Sequence, residues 1–375
     1  WYRSRGLGDV YKRQSLHNEF MVGLLTLSDL GWNEYYSSQL KSEDDKRLQP
    51  ARVITIHKGA CEVSNGRGVC LAKMTGRLRY NAKSKADFPT VGDWVLVKDF
   101  SVGEFGRIER VLNRKSILQR KSVGRASRKQ LIAANIDRAF IIQGLDTTIN
   151  LNRIERYLVM VHEGNIQPVI ILTKSDLLKP EQCDELLSQV KGHFKSTKII
   201  LLSNKTNKGL IDVMPLFESG ITCCVIGMSG VGKTTLINKV LGEDIFITMP
   251  VRASDGKGMH TTTWRELITL QNGGHVIDTP GLRELGSLDV EKGIEEAFDD
   301  IQIIAVNCKF KDCSHIDTEG CAVIDAVKEG RLSKARYENY IKLVSEAAQF
   351  SKDLIENKDL DRQLARFHRT LKNKE

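Results

Sequence analysis

The chain lacks any apolar run that approaches the ~20 residues of a membrane-spanning helix. Basic residues stand near the start of the chain, but no apolar core segment follows them, so the sequence shows no secretory signal. It also contains no internal repeat and no low-complexity block. What remains is a chain of several folded domains, and its 375 residues suggest two or three of them.

A disulfide framework is also missing, although the chain has eight cysteines. Five of them stand singly or in apolar, strand-like segments: Cys61, Cys70, Cys183, Cys223 and Cys224. The other three cluster around a histidine, and we predict that this group binds zinc: Cys308, Cys313, His315 and Cys321. Three thiolates and one imidazole form a closed, structural zinc site, whereas three buried cysteines beside a loop histidine are the alternative. The pattern suits a reducing cytosol.

Acidic residues are fewer than basic ones, 47 against 56, which gives a net charge of +9. We interpret residues 1–14, which have no initiator Met and no clear period, as a non-native segment and exclude them from the fold. The remainder is still basic, which favours a polyanionic partner. The basic segments at 114–129 and 362–374 would contact phosphates or form solvated surface.

Short strands separated by glycine-bearing turns predict a small β-barrel in the first part of the chain, with strands at 52–57, 68–72, 94–97 and 107–111. From residue 137 apolar strands alternate with amphipathic segments, which predicts a mostly parallel sheet covered by helices on both faces. The expected strands are 139–143, 168–172, 198–202, 222–226, 265–270 and 275–277. The expected helices are 150–163, 180–194, 208–217 and 232–241, and a long charged helical tract covers 334–373.

A phosphate-binding loop lies between a predicted strand and a predicted helix, where residues 227–234 match G-x-x-x-x-G-K-[ST]. Its glycines let backbone N–H groups surround phosphate oxygens, and the helix N-terminus adds partial positive charge. Lys233 would reach the β- and γ-phosphates, and the Thr234 hydroxyl would ligate magnesium. The residues expected to contact the nucleotide here are Gly227, Ser229, Gly230, Val231, Gly232, Lys233, Thr234 and Thr235.

We predict that the tetrapeptide Thr173-Lys174-Ser175-Asp176, called the guanine reader below, recognises a guanine base. It follows the apolar run 169–172. The Asp176 carboxylate only accepts hydrogen bonds, so it suits guanine, which offers two donors on one edge. Lys174 would lie along the base, and Thr173 stands where Asn is commoner. Ser203-Asn204-Lys205 fits a supporting loop that would close over the base. A plain helix N-cap is the alternative for this tetrapeptide taken alone.

The order of these motifs is inverted. An ordinary GTPase places the phosphate loop first, D-x-x-G second and N/T-K-x-D last, whereas here the guanine reader precedes the phosphate loop and residues 278–281 follow it. Asp278 would hold magnesium through water, and the Gly281 N–H would sense the γ-phosphate. The order therefore indicates a circularly permuted GTPase domain.

A switch segment is predicted between the phosphate loop and D-x-x-G, where one hydroxyl of Thr261, Thr262 or Thr263 would bind magnesium. Leu282 follows Gly281 where Ras-like proteins place a water-orienting Gln. We therefore expect slow unaided hydrolysis or another catalytic group. His260 is the nearest candidate, and an exposed loop histidine is the alternative.

Together these pieces resemble the RsgA family of small ribosomal subunit biogenesis GTPases. The resemblance rests on residues 76–95, 130–146, 150–161, 172–178, 227–238, 260–263, 278–286 and 308–323. It implies an α/β P-loop GTPase domain, circularly permuted, at 130–287. It also implies an N-terminal OB-fold barrel at 28–115 and a mostly helical zinc-binding domain with a basic tail at 288–375.

The same resemblance implies a cytoplasmic late assembly factor that binds GTP, GDP, Mg²⁺ and Zn²⁺ and whose GTPase is stimulated by the 30S subunit. The barrel and the zinc domain would contact 16S rRNA, and we expect a monomer without membrane or DNA partners. Three other functions stay open: a P-loop kinase or ATPase, a GTP-sensing RNA-binding switch with little hydrolysis, and a permuted GTPase of the large subunit. Asp176 disfavours the first of these.

Overall fold

The computed structural model describes residues 25–40, 43–121, 129–242, 265–278 and 291–352. The described residues fall into two compact units. The first unit lies within the ranges 1–118, 131–150 and 165–284, and the second within 119–130, 151–164 and 285–375. None of the helices in the described parts of the chain has the length and apolarity needed to cross a membrane.

Five strands in the first unit close into a barrel, in the order β1-β2-β3-β5-β4 with β4 returning to β1. They are β1 (Gln49–His57), β2 (Ala60–Ser64), β3 (Val69–Met74), β4 (Trp94–Lys98) and β5 (Phe105–Val111). Only β3 and β5 pair in parallel. Alternate residues of these strands form the barrel core, for example Ala51 with Val53 and Val95 with Val97. This period of two is the pattern expected of a closed sheet with one buried face.

Three short helices flank the barrel strands: α1 (Glu34–Ser37), α2 (Glu43–Lys46) and α3 (Gly76–Asn81). The outward positions of β4 meet the segment that contains α1, because Trp94 and Leu96 cluster with Leu30 and Tyr36. This second apolar cluster explains why β4 is buried on both faces. The barrel is therefore covered along β4 by the chain that precedes it.

Six further strands continue the same sheet in the order β10-β9-β8-β11-β13-β12, and β12 pairs with β1 of the barrel at Thr55 and Glu266. They are β8 (Arg138–Gly144), β9 (Gln167–Thr173), β10 (Lys198–Leu201), β11 (Thr222–Gly227), β12 (Glu266–Thr269) and β13 (His275–Asp278). All neighbours among β8 to β11 and β13 are parallel, whereas β12 is antiparallel to β13. Every residue of β11 is buried, as expected of a central parallel strand.

The helices that connect these strands are α4 (Leu151–Glu163), α5 (Pro180–His193), α6 (Leu210–Val213) and α7 (Lys233–Leu241). Along α7 the apolar residues recur at helical spacing, and Leu236, Ile237, Val240 and Leu241 join the buried cluster of the sheet. This packing fixes the helix that follows the predicted phosphate loop. The helix is thereby held against the strand that precedes the loop.

Arg52 of β1 is a buried cation that joins the barrel to β11. Its guanidinium donates to Thr222 Oγ1 at 2.6 Å, to the Asn135 carbonyl at 3.2 Å and to the Leu30 carbonyl. Burial lowers the pKa of Arg52 from its ordinary value. Because Thr222 is the first residue of β11, these bonds attach the barrel directly to the strand that leads into the phosphate loop.

The second unit is helical and includes α4 together with α8 (Glu291–Ala297), α9 (Asp299–Ala305), α10 (Ala322–Lys328) and α11, which is helical over 334–352. A buried ion-pair network crosses it. Arg336 on α11 donates to Glu155 of α4 at 2.7 Å and to both Asp300 oxygens at 2.6 and 2.7 Å. The Glu155 side chain is fully buried, and Asn339 also donates to it. The network ties three helices of this unit together.

The architecture confirms the predicted fold class of a small N-terminal β-barrel followed by a mostly parallel α/β sheet. Three details of the sequence analysis differ from the structure. β2 was not expected, and the segment 208–217 is a single turn of α-helix followed by a 3-10 turn at Met214–Leu216. The basic segment at 114–129 contains β6 (Ile117–Lys121) and reaches β7 (Lys129–Ala134), which pair with each other. Residues 1–14, 122–128 and 353–375 lie outside the described residues.

Candidate nucleotide and metal sites

The phosphate loop lies between β11, which ends at Gly227, and α7, which begins at Lys233. Its backbone has positive φ at three glycines, among them Gly230 with φ of 77°. Gly227 has φ of +151°, and a Cβ there would lie 2.4 Å from the Ile142 carbonyl oxygen; Gly232 has φ of +98°. The Lys233 ammonium donates to the Gly227 and Met228 carbonyls at 2.9 and 2.6 Å, so its side chain curls over the loop. The loop therefore has the strand, turn and helix that the motif requires.

Most residues of this loop are at least partly exposed, so a ligand can reach them. Val231 is buried, Gly230 is exposed, and the other polar members are partly exposed: Ser229, Lys233, Thr234 and Thr235. The N-terminus of α7 points its first N–H groups into the same region, which favours an anion. The loop can thus supply backbone donors, an ammonium and hydroxyls to a phosphate chain.

The predicted guanine reader begins at the carboxyl end of β9. Thr173 is buried, Lys174 adopts a left-handed backbone with φ of 63°, and Asp176 lies in an exposed 3-10 turn. Ser203, which follows β10 by one residue, donates to Asp176 Oδ1 at 2.6 Å. One carboxylate oxygen is thereby fixed in direction, as bidentate recognition of a base edge requires.

Two hydrogen bonds join this reader to the phosphate loop. The Thr173 hydroxyl donates to the Val231 carbonyl at 2.6 Å, and Asn204 Nδ2 donates to the Gly232 carbonyl at 3.1 Å. The structure therefore brings together two motifs that are far apart in the sequence. Strands β8, β9, β10 and β11 are parallel neighbours, so their carboxyl ends share one edge of the sheet, where ligands of α/β folds bind.

Two residues of this site were not predicted as nucleotide contacts from the sequence. One is Asn204; the other is Asp146, which follows the end of β8 and pairs with Lys174. A Cβ on Gly144 would lie 2.5 Å from Asp146 Oδ1, so Gly144 leaves room for this carboxylate. Their place in the sequence could have indicated this role, because a polar residue directly after a buried parallel strand lies at the same edge of the sheet as the two motifs.

Asp278 is the last residue of β13, and its backbone pairs with Val225 of the strand that leads into the phosphate loop. The D-x-x-G motif therefore begins beside the phosphate loop, as magnesium binding by Asp278 and Thr234 would need. Residues 279–281, including Gly281, lie outside the described residues, and so do His260 and the three threonines Thr261, Thr262 and Thr263. Their roles stay predictions.

The four predicted zinc ligands converge in the second unit, with their ligand atoms all within 4.8 Å of one another. Cys308 Sγ lies 3.9 Å from Cys321 Sγ and 3.6 Å from His315 Nδ1, which lies 3.4 Å from Cys321 Sγ. A tetrahedral zinc ion bound to sulfur and nitrogen separates its ligand atoms by about 3.5–3.8 Å, so Cys308, Cys313, His315 and Cys321 could hold it.

The second unit also orients these ligands. The Tyr337 hydroxyl donates to the His315 carbonyl at 2.6 Å and so ties α11 to the histidine, whose backbone is left-handed with φ of 57°. Burial raises the pKa of the Cys321 thiol to about 11, so a metal ion must displace a proton to bind its sulfur. The cluster therefore fits a structural metal whose affinity weakens as the pH falls.

Comparison with known proteins finds two matching family models and relatives that align with most of the chain. Residues 111–288 match the model described as RsgA GTPase, and residues 222–374 match one described as 50S ribosome-binding GTPase. The chain is 39% identical over 345 residues to "Small ribosomal subunit biogenesis GTPase RsgA 2" of Vibrio parahaemolyticus, which covers 92% of both chains. It is 38% identical over 333 residues to the RsgA protein of Opitutus terrae, covering 86% of this chain and 90% of the relative.

Solved structures agree on the fold. The crystal structure of YjeQ from Thermotoga maritima aligns with a TM-score of 0.60 and 26% identity, over 80% of this chain and 98% of that one. A structure described as YloQ, a circularly permuted GTPase, aligns with a TM-score of 0.59 at 23% identity, over 82% of this chain and 98% of that one. The chain thus shares the fold of these two proteins over almost their whole length.

Proposed function

The chain belongs to the RsgA GTPase family and is a GTP-hydrolysing enzyme, and on that premise we propose that it acts in late assembly of the small ribosomal subunit. The names of the relatives describe GTPases of small-subunit biogenesis. These names do not favour the alternative of a GTP sensor with little hydrolysis. We further propose that the 30S particle stimulates the enzyme, and that it works as a monomer in the cytoplasm, where subunits are assembled.

One observation carries the nucleotide part of this proposal. The residue that opens the guanine reader bonds to the phosphate loop, because Thr173 donates to the Val231 carbonyl at 2.6 Å. A base read by Asp176 and a phosphate chain held by the loop would therefore lie at one site. We propose that Lys174 covers the base with its aliphatic stem while Ser203 holds the Asp176 carboxylate.

In the proposed reaction Lys233 releases its bonds to the loop carbonyls and donates to the β- and γ-phosphates. Thr234 and Asp278 would hold Mg²⁺, which neutralises charge on the transferring phosphoryl group. Backbone N–H groups at the start of α7 bind the phosphate oxygens. We propose that His260 orients the attacking water, since Leu282 has no polar group for that task.

We propose that the barrel and the zinc-binding region contact 16S rRNA. The chain is basic even without residues 1–14, and a basic protein is attracted to the phosphate backbone independently of sequence. The metal would hold the loop of Cys308 to Cys321 in one conformation, so its role here is structural.

Pelleting with purified ribosomal subunits tests the partner. The protein should sediment with 30S subunits in the presence of a non-hydrolysable GTP analogue and less with GDP, and it should not sediment with 50S subunits. Lys233→Ala is the control, because it should abolish the effect of the nucleotide. Equal pelleting with both subunits would refute the small-subunit role, and the 50S arm is needed because a 50S-binding family model also matches.

A further inference from the structure

The loop that follows β10 holds both halves of the nucleotide site through consecutive side chains. Ser203 donates to the guanine-reading carboxylate of Asp176 at 2.6 Å. The next residue, Asn204, donates through Nδ2 to the Gly232 carbonyl in the phosphate loop at 3.1 Å. A shift of this loop would therefore move the reader and the phosphate loop relative to each other.

The contact between Asn204 and Gly232 is close enough to constrain both residues. A Cβ on Gly232 would lie 2.8 Å from Asn204 Nδ2, so only glycine leaves room for the carboxamide. The same Gly232 carbonyl accepts from the Leu236 N–H at 3.0 Å, the first helical bond of α7. Asn204 thus binds the carbonyl at which the phosphate-binding helix starts.

Thr173 and Asn204 each donate a hydrogen bond to one of two adjacent carbonyls in the phosphate loop. A hydroxyl has a single proton, and that of Thr173 is directed at the Val231 carbonyl at 2.6 Å, since the Gln143 carbonyl is farther away at 3.3 Å. The adjacent carbonyl, that of Gly232, is bound by the carboxamide of Asn204. Position 173 commonly carries Asn in this motif, and in this chain the carboxamide is supplied by position 204 on the neighbouring loop.

The hydrogen bond from Asn204 to the Gly232 carbonyl is accompanied by an acceptor on the same side chain that lacks a donor. Asn204 Oδ1 is buried, and none of the described residues donates a hydrogen bond to it. An unsatisfied buried acceptor costs at least as much free energy as one neutral hydrogen bond contributes. The opposite amide orientation would place Oδ1 against the Gly232 carbonyl, which is also an acceptor. Removing the side chain should therefore change the stability of the protein little.

We propose that Asn204 is a positioning residue that sets the register between the guanine reader and the phosphate loop. It thereby determines how strongly the site prefers a guanine nucleotide over one whose base lacks the exocyclic amine. This inference rests on the proposed guanine-nucleotide site. It assigns a specificity role to one side chain of the loop that was expected to close over the base.

The test compares the parent protein with Asn204→Ala in binding GDP and inosine diphosphate, which lacks the exocyclic amine. The variant should bind GDP about five- to tenfold more weakly, because GDP binding must then restore a register that one neutral hydrogen bond held before. Its preference for GDP over inosine diphosphate should also fall, because Asp176 is no longer held in register with the phosphates. The melting temperature should stay at the parent value.

Two further variants sharpen the result. Asn204→Asp keeps the shape of the side chain but removes the donor, so it should lose GDP affinity at least as strongly as the alanine variant. Thr206→Ala is the matched control in the same loop, since this residue is exposed and only its backbone N–H contacts Ser203. It should bind both nucleotides like the parent.

The outcomes separate this inference from the proposed function. A parent protein that binds no GDP would overturn both. If the parent binds GDP and Asn204→Ala binds it equally well, only the role of Asn204 fails. A variant that loses melting temperature but keeps the parent's preference for GDP over inosine diphosphate would make Asn204 a purely structural residue, which also refutes the proposal.

Discussion

The hydroxyl of Thr173 donates a hydrogen bond to the Val231 carbonyl at 2.6 Å, across 58 residues of sequence. The bond joins the first residue of the guanine reader to the phosphate loop. Permutation of the motif order leaves this contact possible, because the strands that carry both motifs are parallel and end at the same edge of the sheet. The site depends on which strands lie side by side in the sheet and not on the order of the motifs along the chain.

The identity of the base should depend on Asp176. Asp176→Asn replaces an acceptor by a group that also donates, so it should weaken GTP binding at least about a hundredfold, since two charge-assisted hydrogen bonds are lost. The variant should gain affinity for xanthosine triphosphate, whose base carries a carbonyl in place of the amine. Titration with both nucleotides checks this, and retained GTP affinity would remove Asp176 from the base site.

Zinc should be required for the fold of the second unit and not for the nucleotide site. Cys308→Ser should lower the zinc content measured by elemental analysis and increase hydrogen exchange in residues 291–352. Cys70→Ala is the matched control, because this buried cysteine belongs to the barrel core. Zinc content that is the same in both variants would show that Cys308 is not a ligand.

The buried network around Arg336 should stabilise the second unit strongly. Arg336→Met leaves the fully buried Glu155 carboxylate without its cation, so local stability should fall by about 3–5 kcal/mol. Arg331→Met is the control, because its pair with Glu329 is more than half exposed and should contribute at most about 1 kcal/mol. Hydrogen exchange of the helix over 334–352 measures both, and equal effects would contradict this account.

Stability of the first unit should fall in mild acid through His275. Its Nε2–H donates to the Asp29 carbonyl at 2.8 Å and its Nδ1 accepts from Thr269 at 3.2 Å, so the ring is held neutral. Burial lowers the pKa of His275 from 6.5 to about 3. The unfolded chain therefore binds a proton that the folded chain does not between these values, and stability is lost as the pH falls through this window.

Between pH 7 and pH 5 this loss should amount to about 2 kcal/mol. Urea unfolding followed by tryptophan fluorescence measures it, because Trp32 and Trp94 both lie in the first unit. His275→Gln should show a shallower pH dependence over the same range. An equal pH dependence in the two proteins would assign acid sensitivity to other groups.

The motifs of the site could be predicted from the sequence because each uses local chemistry. The phosphate loop needs glycines next to Lys233, and the zinc cluster places four ligands within a short segment. Asp146 belongs to no motif, and Asn204 was expected only as part of the loop that closes over the base; their contacts depend on which loops meet at the edge of the sheet. The pairing of Thr55 with Glu266, which joins the barrel to the sheet, is likewise non-local and leaves no local signal.

The most direct test of the central claim is GTP hydrolysis by the purified protein, alone and with 30S subunits, with ATP and 50S subunits as controls. Our account predicts slow hydrolysis by the protein alone and strong stimulation by 30S subunits, for GTP and not for ATP. Equal rates in every condition would contradict it, since the nucleotide site would then operate without the small subunit as its partner.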